Sequence, residues 1–244
     1  MNIFVVGATG ATGRLLTEQL INRGKKVKVV VRDKNRLPEI IRENENLFVT
    51  EAALLNLSDE ELAKQVEDCD VIASCLGHNL NFKGIYGKPR RLVKDSVRRL
   101  CNAVKTNQPE KKVKVVLMNT TGVRNPDLDK ENSIGEKIIF TILRGILPPH
   151  VDNEKAAEYL RNDLGQSDSI IEWVAVRPDG LINFEEVTDY TVHQSLQVSP
   201  LFDSWKTSRI NVAHFMAELI TNDETWNKWK GQTPVIYNKE QEKK

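Results

Sequence analysis

At 244 residues the chain has the length of one large α/β domain with a well-buried core and falls short of two domains of ordinary size. Its 35 Lys and Arg against 34 Asp and Glu leave a formal net charge of only +1, so no global field recruits nucleic acid or an anionic membrane. Hydrophobic residues make up 40%, yet no run approaches the roughly 18 apolar residues of a membrane span; the opening MNIFVVGATG also lacks signal-peptide or transit-peptide character, and the expectation is a cytoplasmic protein.

Asn2–Val6 is a near-continuous apolar run, as expected of a strand buried on both faces. After the turn GATGATG, Thr12–Arg23 carries Leu15, Leu16 and Leu20 at helical spacing and stops at Gly24, a residue suited to ending a helix. Val27–Val31 and Asn46–Thr50 read as the next strands, and Ser58 with Glu61 has capping-box spacing before a helix at Asp59–Glu67. Strands at Asp70–Ser74, Val113–Met118 and Ile171–Val176 then alternate with helices at Arg90–Thr106, Glu154–Asn162 and Val212–Thr221. Strand–helix alternation with right-handed crossovers predicts a doubly wound, mostly parallel sheet of the Rossmann type, its order reversing after the third strand. Its ligand crevice lies at the carboxyl ends of the strands.

Residues 1–244 read as a single domain with a small C-terminal extension on the substrate side. Asn183–Ser208 lacks periodicity and holds Pro200 and scattered aromatics, which suits a cap or loop, and the polar stretch Asn238–Lys244 reads as a fraying tail. Within 134–147, Ile138, Ile139, Ile142, Leu143 and Ile146 form an apolar stripe at helical spacing flanked by Lys137 and Arg144. Core packing is the favoured expectation there, and a homodimer or protein-partner face is the alternative. Trp205, Trp226 and Trp229 read as packing residues. Cys69, Cys75 and Cys101 form no CxxC pair and are expected to be reduced packing residues, while His78, His150, His193 and His214 have no ligand spacing, so no metal is expected.

The most informative segment is Gly7-Ala8-Thr9-Gly10-Ala11-Thr12-Gly13, set between a buried strand and an amphipathic helix. Gly7 permits the sharp exit from the strand, Gly10 lets backbone N–H groups reach a pyrophosphate, and Gly13 allows close helix–strand packing. The opening of the helix adds free donors and a positive dipole end, and Thr9 and Thr12 can add hydroxyls. About 20 residues after the last glycine, where such folds read the adenosine ribose, the second strand ends in Arg32-Asp33-Lys34-Asn35-Arg36. An arginine there favours the 2′-phosphate of NADP(H) over NAD(H), because a guanidinium pairs with phosphate in bidentate fashion, whereas Asp33 facing inward would favour the free hydroxyl.

Together GATGATG, the VRD ending of the second strand, SCLG after the fourth, NTTGV after the fifth, VRPDGL after the sixth and the segment SRINVAHFMAELIT resemble the atypical short-chain dehydrogenase/reductase superfamily. The likeness spans about residues 1–222 and is to its NAD(P)H-binding, NmrA-like and flavin-reductase-like branch. The resemblance implies that Gly7, Thr9, Gly10, Ala11, Thr12 and Gly13 hold the pyrophosphate and Arg32 the adenosine 2′-phosphate. It implies that Ser74, Cys75, Leu76 and Gly77 line the adenosine and ribose side, that Thr120 and Thr121 occupy the place of a catalytic or substrate-orienting Ser/Thr, and that Pro178, Asp179, Gly180 and Leu181 lie beside the nicotinamide.

The sequence departs from the superfamily's Tyr-x-x-x-Lys pair. None of Tyr86, Tyr159, Tyr190 and Tyr237 has a lysine four residues later, and the Ser133/Lys137 spacing offers only a poor proton donor. By resemblance Lys155 occupies the ribose-binding lysine position with Val151 in the tyrosine slot; an exposed cation paired to Asp152 or Glu158 is the plainer reading of Lys155. His150 is near enough in sequence to donate a proton, although a histidine beside Pro148-Pro149 reads first as a loop residue. The leading function is an NADPH-dependent oxidoreductase acting on a small carbonyl, quinone or flavin-like acceptor. The alternative is a non-catalytic NADP(H)-binding sensor or assembly module that engages a protein partner. A nucleotide-sugar epimerase is disfavoured because the chain lacks an added substrate domain.

Overall fold

A computed structural model describes residues 1–78 and 81–239. Its strands are β1 (Asn2–Val6), β2 (Lys26–Val31), β3 (Leu47–Glu51), β4 (Val71–Ser74), β5 (Val113–Met118), β6 (Ile171–Pro178), β7 (Leu181–Ile182), β8 (Tyr190–His193), β9 (Thr207–Ser208) and β10 (Val235–Asn238). Its helices are α1 (Ala11–Asn22), α2 (Glu39–Arg42), α3 (Asp59–Val66), α4 (Phe82–Tyr86), α5 (Leu92–Asn107), α6 (Ile134–Ile146), α7 (Pro148–Glu158), α8 (Arg209–Thr221) and α9 (Asp223–Trp229).

The main sheet runs β3-β2-β1-β4-β5-β6-β10-β8, parallel except for β8, which pairs antiparallel with β10. The order reverses at β1/β4, as the strand–helix alternation predicts, so the first crossover pair opens a crevice beside Gly7. Alternate residues of each strand feed opposite cores: Ile3, Val5 and Val29 pack with α1 and α8, whereas Phe4, Val6 and Ile72 pack with α3 and α5. Each such buried aliphatic side chain contributes roughly 1.5–3 kcal/mol, and this double burial is why the strands read as unbroken apolar runs. Among the described residues, no helix is long and apolar enough to cross a membrane.

Four sequence expectations need correction. The helix expected at Glu154–Asn162 begins at Pro148 and continues as a π-helical turn over Tyr159–Leu164. Both prolines sit in its first turn, where a missing N–H costs nothing, so His150 is a helical residue and not a loop residue. The apolar stripe of α6 is not core: Phe140 is its one buried residue, while Ile138, Ile142 and Ile146 are each more than half exposed. Lys155 has no ion pair to Asp152 or Glu158 among the described residues; Asp152 is buried and engaged elsewhere. Asn238 does not fray, being buried in β10 with its Oδ1 accepting from Ser208 N and Asn211 Nδ2. Lys239 is also held, its N–H donating to the Asp189 carbonyl, and 240–244 lie outside the described residues.

Within the stretch read as a cap or loop, Tyr190–His193 adds a strand to the main sheet and Thr207–Ser208 pairs with Leu181–Ile182. A buried ion pair fixes this region. Asp129 accepts from Arg177 of β6, from Asn125 N and from Leu196 N, and Arg177 also donates to the Val123 and Thr233 carbonyls. Removing one partner strands the other's charge in the interior, which costs about 3–5 kcal/mol. Asp129→Ala should lose stability of that order in urea unfolding; a loss under about 1 kcal/mol would contradict the role given to the pair.

Candidate cofactor site

The exit of β1 and the start of α1 approach each other more closely than side chains allow. Gly7 has φ +81°, and a Cβ there would lie 2.6 Å from the Cys75 backbone; a Cβ on Gly13 would lie 2.1 Å from the Gly7 carbonyl oxygen. Gly10 differs, since its Cβ would meet only the Gly7 oxygen, at 3.1 Å, and would otherwise project into open space. No side chain caps α1, whose N-cap is Gly10, so among the described residues its first-turn N–H groups have no side-chain partner.

A cavity of about 370 Å³ adjoins this turn. Gly7, Thr9, Gly10, Arg32, Cys75, Leu76 and Gly77, all singled out in the sequence, line it together. So do Ala52–Asn56, a short apolar wall from the β3–α3 connection. Thr12 and Gly13 are buried behind the turn, Ala11 is exposed, and none of the three lines the cavity. Ser74 is buried at the end of β4 with its Oγ unpartnered.

Arg36 also lines the cavity, and the sequence reading passed over it. The signal was present in the Arg32–Arg36 charge run. Asp33 caps a short 3-10 turn, accepting from Asn35 N at 2.9 Å, and the turn brings Arg36 back beside Arg32. The Asp33 carboxylate is thereby engaged with its own turn, and Asp33 is not among the residues lining the cavity.

The second group of expected site residues lies at the ends of β5 and β6, apart from this cavity. Thr121 is buried and its hydroxyl donates to Asp179 Oδ1 at 2.8 Å. Asp179 also accepts from Gly180 N, Ser204 Oγ and Trp205 N; burial pushes its carboxyl up, opposed by these donors. Gly180 has φ +27° and abuts the Trp205 carbonyl, Leu181 pairs with Thr207, and Pro178 accepts from Thr121 N. Pro178–Leu181 are therefore knitted to 204–208. Thr120 is half-buried and its Oγ1 accepts from Gly122 N.

His150 is buried against Phe140, with ring centroids 5.6 Å apart, and its Nε2 lies 3.4 Å from Glu154. Burial pushes the Glu154 carboxyl up, but His150 and the Arg144 guanidinium hold it down at about 2. Lys155 is half-buried, and its ammonium makes no hydrogen bond or ion pair among the described residues. Burial pushes Tyr190 and Tyr237 up to about 12 and Tyr159 higher still, the opposite of an activated catalytic phenol.

A histidine without ligand spacing, His78, follows the β4 turn with its side chain 4% exposed. His78 Nδ1 lies 3.1 Å from the Gly84 carbonyl and Nε2 2.8 Å from Asp152 Oδ2. Both neighbours are acceptors, an arrangement that favours a ring protonated on both nitrogens; the Asp152 hydrogen bond raises its pKa against the opposing effect of burial. Asp152 also accepts from Val93 N and Lys94 N, capping α5 from α7. Only the fold brings His78, Val93 and Asp152 together, so no local motif announced them.

Two outcomes follow from this geometry. Gly10→Val should fold and lose nicotinamide-nucleotide affinity, whereas Gly13→Val should fail to fold stably; equal behaviour of the two in circular dichroism and binding would contradict their distinct roles. Because the folded pKa of His78 is raised, its stabilisation is complete below the unfolded value near 6.5 and fades as pH rises through the folded one. The stability advantage over His78→Gln should shrink from pH 6 to pH 9 in chemical unfolding, and a constant difference would contradict the raised pKa.

A family profile described as NAD(P)H-binding matches residues 7–223. No curated protein matches the sequence. Among solved structures, the oxidoreductase ylbE from Lactococcus lactis is 20% identical with a TM-score of 0.69, covering 98% of this chain and 91% of that one. A short-chain dehydrogenase/reductase from Veillonella parvula in complex with NADP is 17% identical with a TM-score of 0.70, covering 98% and 94%. A Streptococcus pneumoniae protein provisionally named an NADH-flavin reductase is 14% identical with a TM-score of 0.65, covering 98% and 100%. At these identities the structures share the fold. With the family match spanning most of its length, the chain belongs to the NAD(P)H-binding family, and it shares the Rossmann fold of these structures.

Proposed function

We propose that this protein is an NADPH-dependent oxidoreductase that transfers hydride to a small carbonyl, quinone or flavin-like acceptor. One observation carries the reading: the phosphate-turn glycines and the guanidinium-bearing Arg32 and Arg36 line the same cavity, while the Asp33 carboxylate is engaged with its own turn. The free N–H groups opening α1 take the pyrophosphate, and the two arginines flank the adenosine 2′-phosphate. Leu76 and the Ala52–Asn56 wall bury the adenine. Lys155, with its ammonium uncommitted, takes the nicotinamide ribose beside Thr120, and Pro178, Gly180 and Leu181 border the ring.

The cofactor supplies the hydride; the chain holds it and shields it from water. Thr120 positions the acceptor. An acceptor such as a quinone or flavin takes its proton from solvent, so the site works without a tyrosine acid. The names borne by the Veillonella and Streptococcus structures support this class of reaction.

A second reading, a non-catalytic NADP(H) sensor or assembly module, is favoured by the commitment of Thr121 to Asp179 and by the burial of His150 against Phe140. The two part on turnover: a reductase oxidises NADPH when a quinone, flavin or aldehyde is added, and binding without turnover across such a panel favours the sensor. NADPH should bind more tightly than NADH. Arg32→Ala and Arg36→Ala should each cost NADPH about tenfold, ~1.4 kcal/mol, and leave NADH almost unchanged. Equal affinities for the two nucleotides in calorimetric titration of the intact protein would overturn the assignment.

A further inference from the structure

We propose that α6 is the interface of a homodimer, docking antiparallel on α6 of a second copy across a two-fold axis. Ile134, Ile138, Ile142 and Ile146 stand four residues apart on one face, 80%, 56%, 55% and 56% exposed. The face continues at both ends. Phe202, 65% exposed, lies over Gly135, and the Tyr86 hydroxyl donates to the Ile146 carbonyl, placing that partly exposed ring at the other end.

Three observations select a second copy as the occupant. The isoleucine row is symmetric about position 140, so an antiparallel pair sets Ile134 against Ile146 and Ile138 against Ile142 on both sides at once, the self-complementarity that a two-fold interface requires. Side chains this exposed offer on the order of 100 Å² each, so the six together approach most of the ~800 Å² per partner of a standard stable interface. Charge argues against an anionic bilayer. The helix's own cations are already paired, Lys137 with Glu131 at 3.1 Å and Arg144 with Glu154 at 2.8 Å, which leaves the rim without the positive surplus such a surface rewards.

The helix is also rigidly held before any partner arrives. Ser133 and Glu136 form a capping box, Ser199 Oγ donates to Glu136, and Phe140 anchors the inner face on His150. Little ordering entropy remains to be lost on docking. Gly145, with open space around it, lies between Ile134 and Ile138 on the helical wheel and allows a close approach.

The test is sedimentation velocity on the intact protein from low to high micromolar concentration. The expected species has twice the 27.7 kDa chain mass, and Ile138→Glu/Ile142→Glu should be monomeric while keeping wild-type NADPH affinity, which also reports that it is folded. In an otherwise unchanged chain, Ile138→Cys/Ile142→Cys should form a disulfide-linked dimer on mild oxidation, as the antiparallel register demands. A wild type that stays monomeric, or a dimer indifferent to the glutamates, would overturn the proposal. So would a monomer that co-floats with phosphatidylglycerol vesicles through this face, since that would make the occupant a membrane.

Discussion

The architecture depends on how closely β1 and α1 can pass. With no side chain at Gly7 or Gly13, the first turn of α1 rests on the carbonyl leaving β1, and Cys75 at the end of β4 closes in from the other side. That approach fixes the angle at which α1 leaves the sheet and aims its unpaired N–H groups at the crevice where the strand order reverses. A methyl group at either position would push helix and strand apart and spoil the packing. Gly10 serves a different end, because it keeps the space above the turn empty.

Around this fixed point the chain holds its crevice from several sides. The 3-10 turn after β2 consumes the Asp33 carboxylate and returns Arg36 to the cavity wall beside Arg32. On the β4 side, the His78 ring is fastened to Asp152, which at the same time caps α5, so one carboxylate locks three segments. At the far ends of β5 and β6 the Asp179 cluster and the Arg177–Asp129 pair consume polar groups in holding loops. The α1 end of the crevice thus leaves backbone donors without a side-chain cap, while most polar side chains at the opposite end are occupied. Lys155 is the exception there among the residues implied by family resemblance.

The legible parts of the sequence were those governed by local rules. Buried parallel strands show as apolar runs, and the glycine spacing of the phosphate turn reflects contacts within a few residues, so β1 to β6 and the cavity floor could be read directly. Position was harder to read than pattern. The α6 stripe announced an apolar face but not what lies opposite it, since periodicity carries no information on neighbours. Beside Pro148 and Pro149, His150 reads first as a loop residue although the prolines open α7, a distinction that depends on which residue starts the helix. Strands β8 and β10 are four residues each, and β10 pairs with a segment more than fifty positions earlier, beyond the reach of local signals. His78 escaped notice for the same reason, as its partner Asp152 is 74 residues away.

Whether the backbone amides opening α1 grip a dinucleotide's diphosphate can be read residue by residue. In a nitrogen-15 labelled sample titrated with NADPH, the largest amide shifts should fall on Gly10, Ala11, Thr12 and Gly13, with smaller ones at Arg32 and Arg36. Saturating NADPH that left those resonances unmoved, or moved only ones remote from the turn, would contradict that grip.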